Sequence, residues 1–293
     1  MPRITTGWPA QAKTERLRDR ILDTMSTTTS EQWQLERASA EAYERYAVAS
    51  WSGPLAARLI ALAAPREGER VLDVACGTGI VARLAAAAVG AGGSVAGVDL
   101  NEGMLAVARE QAPALDWRQG DVEALPVADG AFDLVACQQG LQFFGHRAAA
   151  LAEMRRALAP GGRLALSVMR PIAHNAGWGA LAAALARHVG PEAGAMMRAP
   201  FPDWDAAELR ELVTSAGFDD VRVVIAVEGA RYPSPAELVR WEAEASPLAG
   251  PLSAVSPETR AALVADVAAT IADRVDDDGV LLVQETFVVL GRI

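Results

Sequence analysis

From Arg70 to Cys76 the chain reads RVLDVAC, a short apolar run with one acid, bounded by Gly68 and Gly77. That is the pattern of a strand covered on both faces. Ile80–Val89 then repeats apolar residues at helical spacing, Ser94–Leu100 reads as a strand and Glu102–Gln111 as a helix. A brief strand over Asp116–Gln119 and a longer one over Phe132–Gln138 follow. Ala148–Leu158 is helical and closed by Pro160-Gly161-Gly162, and Arg163–Met169 is a strand. Strands alternating with helices at this spacing form βαβ units, so the pattern predicts an α/β fold with a doubly wound, mostly parallel sheet. Upstream, Leu35, Ala38, Tyr43, Tyr46 and Ala47 recur three and four residues apart, predicting a helix over Glu31–Ala49. A second helix, Leu55–Ala64, stops at Pro65.

Past Met169 the rhythm breaks. Residues 171–202 carry a helix of Ala, Leu and Met with Trp178, then an apolar corner at Met196, Met197, Phe201 and Trp204. That corner reads as core beneath a lid or as an apolar substrate wall. A helix over Asp205–Ala216 and a strand over Val221–Val227 come next, then helices over Ser234–Ala245 and Pro257–Val275 and a last strand, Leu281–Leu290. The expected organisation is a flexible segment over residues 1–30 and one domain over 31–293. Within it, 171–204 and 232–279 are helical insertions that cap a substrate. Met25 is an alternative start, and residues 1–24 receive no function.

Composition narrows the chemistry. Of 293 residues, 51% are hydrophobic and 22% charged, enough for a packed core. Lys plus Arg is 27 against 37 acids, a net charge of −10, which argues against a nucleic-acid partner. Lys13 is the sole lysine, so a Walker A loop, a Tyr-x-x-x-Lys pair and a pyridoxal Schiff base have no lysine inside the fold. Cys76 and Cys137 are too few for a disulfide framework and lack zinc-site clustering, so no metal is expected. No apolar run reaches the ~18–20 residues of a membrane span unbroken by glycine. The N-terminus lacks a secretory pattern, so a soluble cytoplasmic protein without a membrane partner is expected.

The first strand runs into Gly77-Thr78-Gly79-Ile80-Val81-Ala82. Glycines there let the backbone approach a ligand, and the following helix offers its N-terminal amides. Asp99 closes the second strand 22 residues after Gly77, where a carboxylate accepts ribose hydroxyls. That much also fits a nicotinamide fold. Asp73, inside the first strand, is costly to bury without a cation or donors, and an ammonium suits it where a pyrophosphate does not. Asp121, in Gly120-Asp121-Val122, follows the third strand and can accept from an adenine amino group while the Val122 amide donates to the ring. Ammonium, ribose and adenine in that order describe S-adenosylmethionine.

VLDVACGTG, GVDL, GDVEALP, FDLVACQQGLQFF and LAPGGRLALSV resemble the successive motifs of class I S-adenosylmethionine-dependent methyltransferases, in the ubiquinone/menaquinone-type small-molecule branch. The resemblance covers residues 40–170. It implies a Rossmann-like sheet of seven strands, the last antiparallel and inserted beside the sixth, a place Leu281–Leu290 fits. It implies that Ala75, Gly77 and Gly79 line the methionine moiety and that Asp99 and Leu100 hold the ribose. Asp121 and Val122 would hold the adenine, with Met104 and Glu123 completing the set. Gln138 would border the methyl group. Tyr43 reads equally as a cover for the cofactor or as helix packing. The quinone-modifying members carry a different sequence after the fourth strand.

The implied reaction is in-line transfer of a methyl group to an O, N or C nucleophile of a small-molecule metabolite by a monomer or homodimer. His146, past the fourth strand, and His174, past the fifth, lie at the carboxyl edge where such sheets bind ligands. They are the candidate catalytic bases, against the plainer reading of each as a polar surface residue. His188 falls on a helix face. Two rivals stand beside this reading: a non-catalytic S-adenosylmethionine-binding regulator, and an NAD-dependent oxidoreductase, which leaves Asp73 and Asp121 without a role.

Overall fold

The computed structural model describes residues 35–293. The expectations for residues 1–30, for Met25 as a start and for a helix beginning at Glu31 lie outside the described residues. The first four strands, β1 (Arg70–Val74), β2 (Ser94–Asp99), β3 (Asp116–Gln119) and β4 (Phe132–Gln138), fall where the sequence pattern puts them. With β5 (Leu158–Met169), β6 (Asp219–Tyr232) and β8 (Gly279–Arg292) they form a sheet ordered β3-β2-β1-β4-β5-β8-β6. Neighbours from β3 to β5 are parallel, and β8 lies antiparallel between β5 and β6. The order in which the strands are laid down reverses between the parallel neighbours β1 and β4, which leaves a crevice at their carboxyl ends.

Three differences from the sequence pattern have local causes. Pro160-Gly161-Gly162 does not separate helix from strand. Leu158 already pairs with Phe132, and Arg163 with Leu134, so residues 159–162 bulge out within β5. β6 extends to Tyr232: Arg231 falls on the exposed face with Ile225 and Val227, and Glu228, on the opposite face, is paired with Arg58. An eighth strand, β7 (Val275–Asp276), pairs with the start of β8 through a turn in which Asp276 Oδ1 accepts from the Asp278 amide at 3.0 Å.

The two leading helices are one rod. α1 (Arg37–Ala42) passes into a π-helical segment, Tyr43–Ser52, and on into α2 (Gly53–Ala63). Helices α3 (Ile80–Val89), α4 (Glu102–Gln111) and α5 (Arg147–Ala157) cross between strands, and α8 (Ala206–Ser215) starts at an Asp205–Glu208 capping box. The remaining helices, α6 (Ala176–His188), α7 (Pro191–Arg198), α9 (Pro235–Glu244), α10 (Ala249–Ser253) and α11 (Pro257–Thr270), gather over a separate core. That core contains Trp178, Leu185, Leu238 and Leu263, with Ala230, Tyr232, Val280 and Leu282 from the far halves of β6 and β8. The long antiparallel pair therefore carries the helical cap out from the parallel sheet. Its other face leaves Ile225, Val227, Leu281 and Val283 exposed.

Gly279, at the turn into β8, has φ +105°, and a Cβ there would lie 2.3 Å from the Tyr232 carbonyl oxygen. Gly279→Ala should therefore cost about 2–4 kcal/mol in urea unfolding. Gly250→Ala, whose added Cβ meets nothing within 4 Å, should be close to neutral. Equal losses for the two would contradict this account of the turn.

Candidate functional site

Beyond β1 the backbone bends through left-handed conformations at Ala75 (φ +55°), Gly77 (φ +55°) and Gly79 (φ +86°). A Cβ on Gly79 would strike the Trp117 ring at 2.3 Å, whereas one on Gly77 would meet nothing within 4 Å, because that side opens into a cavity. Asp99, at the end of β2, locks the bend. Its Oδ2 accepts the Gly77 amide at 2.7 Å and its Oδ1 the Asn101 amide at 2.8 Å. Burial raises the Asp99 carboxyl above the usual carboxylate range, and these backbone donors partly offset that rise. Each oxygen keeps a lone pair for a further donor.

Asp73 lies behind this wall and does not line the cavity. It is 1% exposed, its Oδ2 accepts the Ala82 amide at 2.9 Å, and burial pushes its carboxyl up to about 8. Its side chain is turned toward the first turn of α3, so it braces that turn. An ammonium at the end of β1 would not reach it directly. Its Oδ1, buried without a partner, is the one atom left to act toward the site.

The cavity holds about 810 Å³, toward the upper end of small-ligand sites (~300–1,000 Å³). One end is lined by Ala75, Gly77, Asp99, Leu100, Met104, Asp121, Val122 and Glu123. Asp121 is exposed, and its Oδ1 accepts the Glu123 amide at 2.9 Å. The middle is closed by Tyr43 and Gln138. The Gln138 amide donates to the Ser52 carbonyl at 3.0 Å and to Ser52 Oγ at 3.1 Å, and its Oε1 is buried with no partner. Tyr43 donates to the same Ser52 Oγ at 3.1 Å, and burial pushes its hydroxyl up to about 12. A π-helical turn carries one residue more than an α-turn, and here it presents Tyr43, Ala47 and Trp51 to the cavity.

The histidines divide. His146 lines the cavity, but its Nδ1 is 2.9 Å from Glu123 Oε2 and its amide donates to Glu123 Oε1 at 2.9 Å. It therefore belongs with the loop after β3, at the edge of the sheet, away from Gln138. His174 does not reach the wall, because its ring turns to Arg170 at 3.1 Å. His188 meets Asp266 at 2.9 Å. In the apolar corner, Met197 and Phe201 line the cavity while Met196 packs on the cap core and Trp204 stacks on Arg147.

The far end holds residues that the sequence did not single out: Trp51, Met169, Trp178 and, above all, Glu242. Glu242 is 6% exposed, and its Oε1 accepts the Tyr232 hydroxyl at 2.9 Å. Burial pushes its carboxyl up to about 7, against the opposing pull of Tyr232 and Trp51. One signal was available: within α9, Glu242 falls three and four residues after Val239 and Leu238, both buried, so an acid sits on the apolar face.

Residues 72–166 match the methyltransferase domain family. Over 110 residues the chain is 44% identical to the ubiquinone/menaquinone biosynthesis C-methyltransferase UbiE of Stenotrophomonas maltophilia, covering 36% of this chain and 44% of that one. It is 41% identical over 104 residues to an uncharacterized 37.1 kDa protein in transposon Tn4556 of Streptomyces fradiae, covering 34% and 30%. The chain thus spans less than half the length of these curated relatives. Among solved structures, a protein of Bacillus halodurans assigned to the methyltransferases aligns with a TM-score of 0.52 at 23% identity, over 81% of this chain and 97% of that one. The YcgJ protein of Bacillus subtilis gives 0.53 at 18% identity over the same shares. Both share the fold. Among the described residues, no helix is long and apolar enough to cross a membrane.

Glu242 titrates against folding. Its carboxyl moves from 4.5 to about 7, so the folded chain retains a proton that the unfolded chain has released. The stability this confers is complete below pH 4.5 and is lost as pH rises through 7. Glu242→Gln should therefore gain up to about 3 kcal/mol over wild type at pH 8.5 and roughly nothing at pH 4, read by thermal unfolding at both. A gain independent of pH would contradict this.

Proposed function

Residues 72–166 are a methyltransferase domain of the class I, S-adenosylmethionine-dependent type, and from that premise we propose that the chain methylates an O, N or C nucleophile of a small-molecule metabolite. The observation that carries the reading is the Asp99–Gly77 latch, which opens a Cβ-free bend onto a cavity while leaving carboxylate lone pairs facing it. S-adenosylmethionine fits the residues present. Asp99 and Leu100 would take the ribose, Asp121 and Val122 the adenine, and Ala75 and Gly77 the methionine moiety. The unsatisfied Asp73 Oδ1 and Gln138 Oε1 are acceptors suited to the donors of its ammonium end, the first through a bridging water.

When bound, the cofactor supplies a methyl group already activated by the positive sulfonium. The chain's own work is then positioning and exclusion of water. Gln138, fixed on Ser52, and Tyr43, packed edge-on to Trp51 with centroids 6.0 Å apart, form a rigid partition between the two halves of the cavity. The helices of 171–204 and 232–279 cap the acceptor half, whose walls are mostly apolar. His146, tied to Glu123, stands at the adenine end and His174 outside the wall, so neither serves as base at the transfer point.

Asp99→Ala should weaken S-adenosylhomocysteine binding by about 1–3 kcal/mol, because ribose hydroxyls lose their acceptor. Calorimetry is the check. An unchanged affinity, or no heat from either the methyl donor or its product with wild-type protein, overturns the reading.

A further inference from the structure

The acceptor half of the cavity has an electrostatic asymmetry that its apolar walls make acute. Around the whole cavity the described residues supply four carboxylates, Asp99, Asp121, Glu123 and Glu242, and neither lysine nor arginine. Asp99 rests on two backbone amides, Asp121 on one, and Glu123 on the His146 amide and ring. Glu242 alone stands at the far end, on a helix of the cap. Arg240, on the same helix, is drawn away to Glu237 and Glu244. The groups facing Glu242 are neutral: the Tyr232 hydroxyl of β6, at 2.9 Å, and the Trp51 indole of the π segment. That indole N–H is buried and finds no partner within hydrogen-bonding geometry. Trp51 in turn meets Trp178 edge to face at 6.3 Å, and both rings line the cavity.

A buried carboxylate without a cation is among the costliest groups to keep in a fold, and a glutamine would satisfy Tyr232 equally well. A neutral ligand gives no reason for the acid. An anionic ligand would be repelled by every charge on the wall. A cation answers both points, and indole faces add attraction for it. We propose that the chamber under the cap binds an apolar molecule bearing a protonated amine, and that Glu242 receives its ammonium beside Trp51. This rests on the preceding reading only in taking the opposite half of the cavity as the donor site. The raised Glu242 carboxyl adds a consequence: it ionises as pH passes about 7, so amine affinity climbs between pH 6 and 8.

The test uses the full chain saturated with S-adenosylhomocysteine and three probes of one shape: phenethylamine, 2-phenylethanol and 3-phenylpropanoate. Calorimetry is run at pH 6 and 8 on wild type and Glu242→Gln. Expected is binding of phenethylamine at least tenfold tighter than the alcohol, stronger at pH 8, with no detectable binding of the carboxylate. In Glu242→Gln the amine should lose at least tenfold while the alcohol changes less than threefold. Equal binding of amine and alcohol, no binding of any probe, or full amine affinity in Glu242→Gln overturns the proposal. S-adenosylhomocysteine titrated alone separates the two ideas. Its heat in both proteins shows that variant and cofactor half are intact, and its absence from wild type sinks the methyltransferase reading, whatever the amine does.

Discussion

Everything at the carboxyl edge of this sheet depends on carboxylates that hold backbone amides. Asp99 ties the end of β2 to the bend after β1, and Asp73 ties β1 to the first turn of α3. Together they fix a left-handed stretch of chain that would otherwise relax, since Ala75 carries a Cβ at φ +55°. The amides so fixed close one side of the cavity, and Trp117 fills the space against Gly79 from behind. This end of the cavity is therefore held in place by the fold itself. That is how a site dominated by positioning must be built.

The far end of the cavity is assembled differently, through rings rather than amides. Tyr43, Trp51, Trp178, Tyr232, Trp241 and Tyr46 follow one another at centroid separations between 5.1 and 6.3 Å. This chain of rings runs from the π-helical segment into the cap and back. Arg240, stacked over Tyr46 with 4.8 Å to the ring centroid, clamps α9 onto that segment. Glu242 sits where the ring chain meets the cavity, and its cost in stability marks it as kept for what it binds.

Much of the architecture was legible in the chain, because β1, β2 and β4 are mostly apolar runs, while the polar edge strand β3 (DWRQ) was marked only by its place between helix and turn. The glycine bend and Asp99 were legible for the same local reason: a close backbone approach demands glycine, and the acceptor of its amide stands at a strand end. What misled was chemistry read by position alone. His146 and His174 both follow strands that end at the ligand edge, yet Glu123 and Arg170 take up their rings. Asp73 was read only as a partner for a cation, whereas one of its oxygens holds the Ala82 amide.

The sequence by itself determined the succession of strands and helices, the glycine bend after the first strand and the acidic, lysine-poor character of the chain, since these are written in local periodicity and composition. Only the tertiary structure decided which side chains meet across the cavity. Glu242 and Trp51 are 191 residues apart and share the far end because β6 and β8 carry the cap back over the π segment. Pairings of that range depend on loop closure and on which helix face finds a core. No spacing along the chain records them.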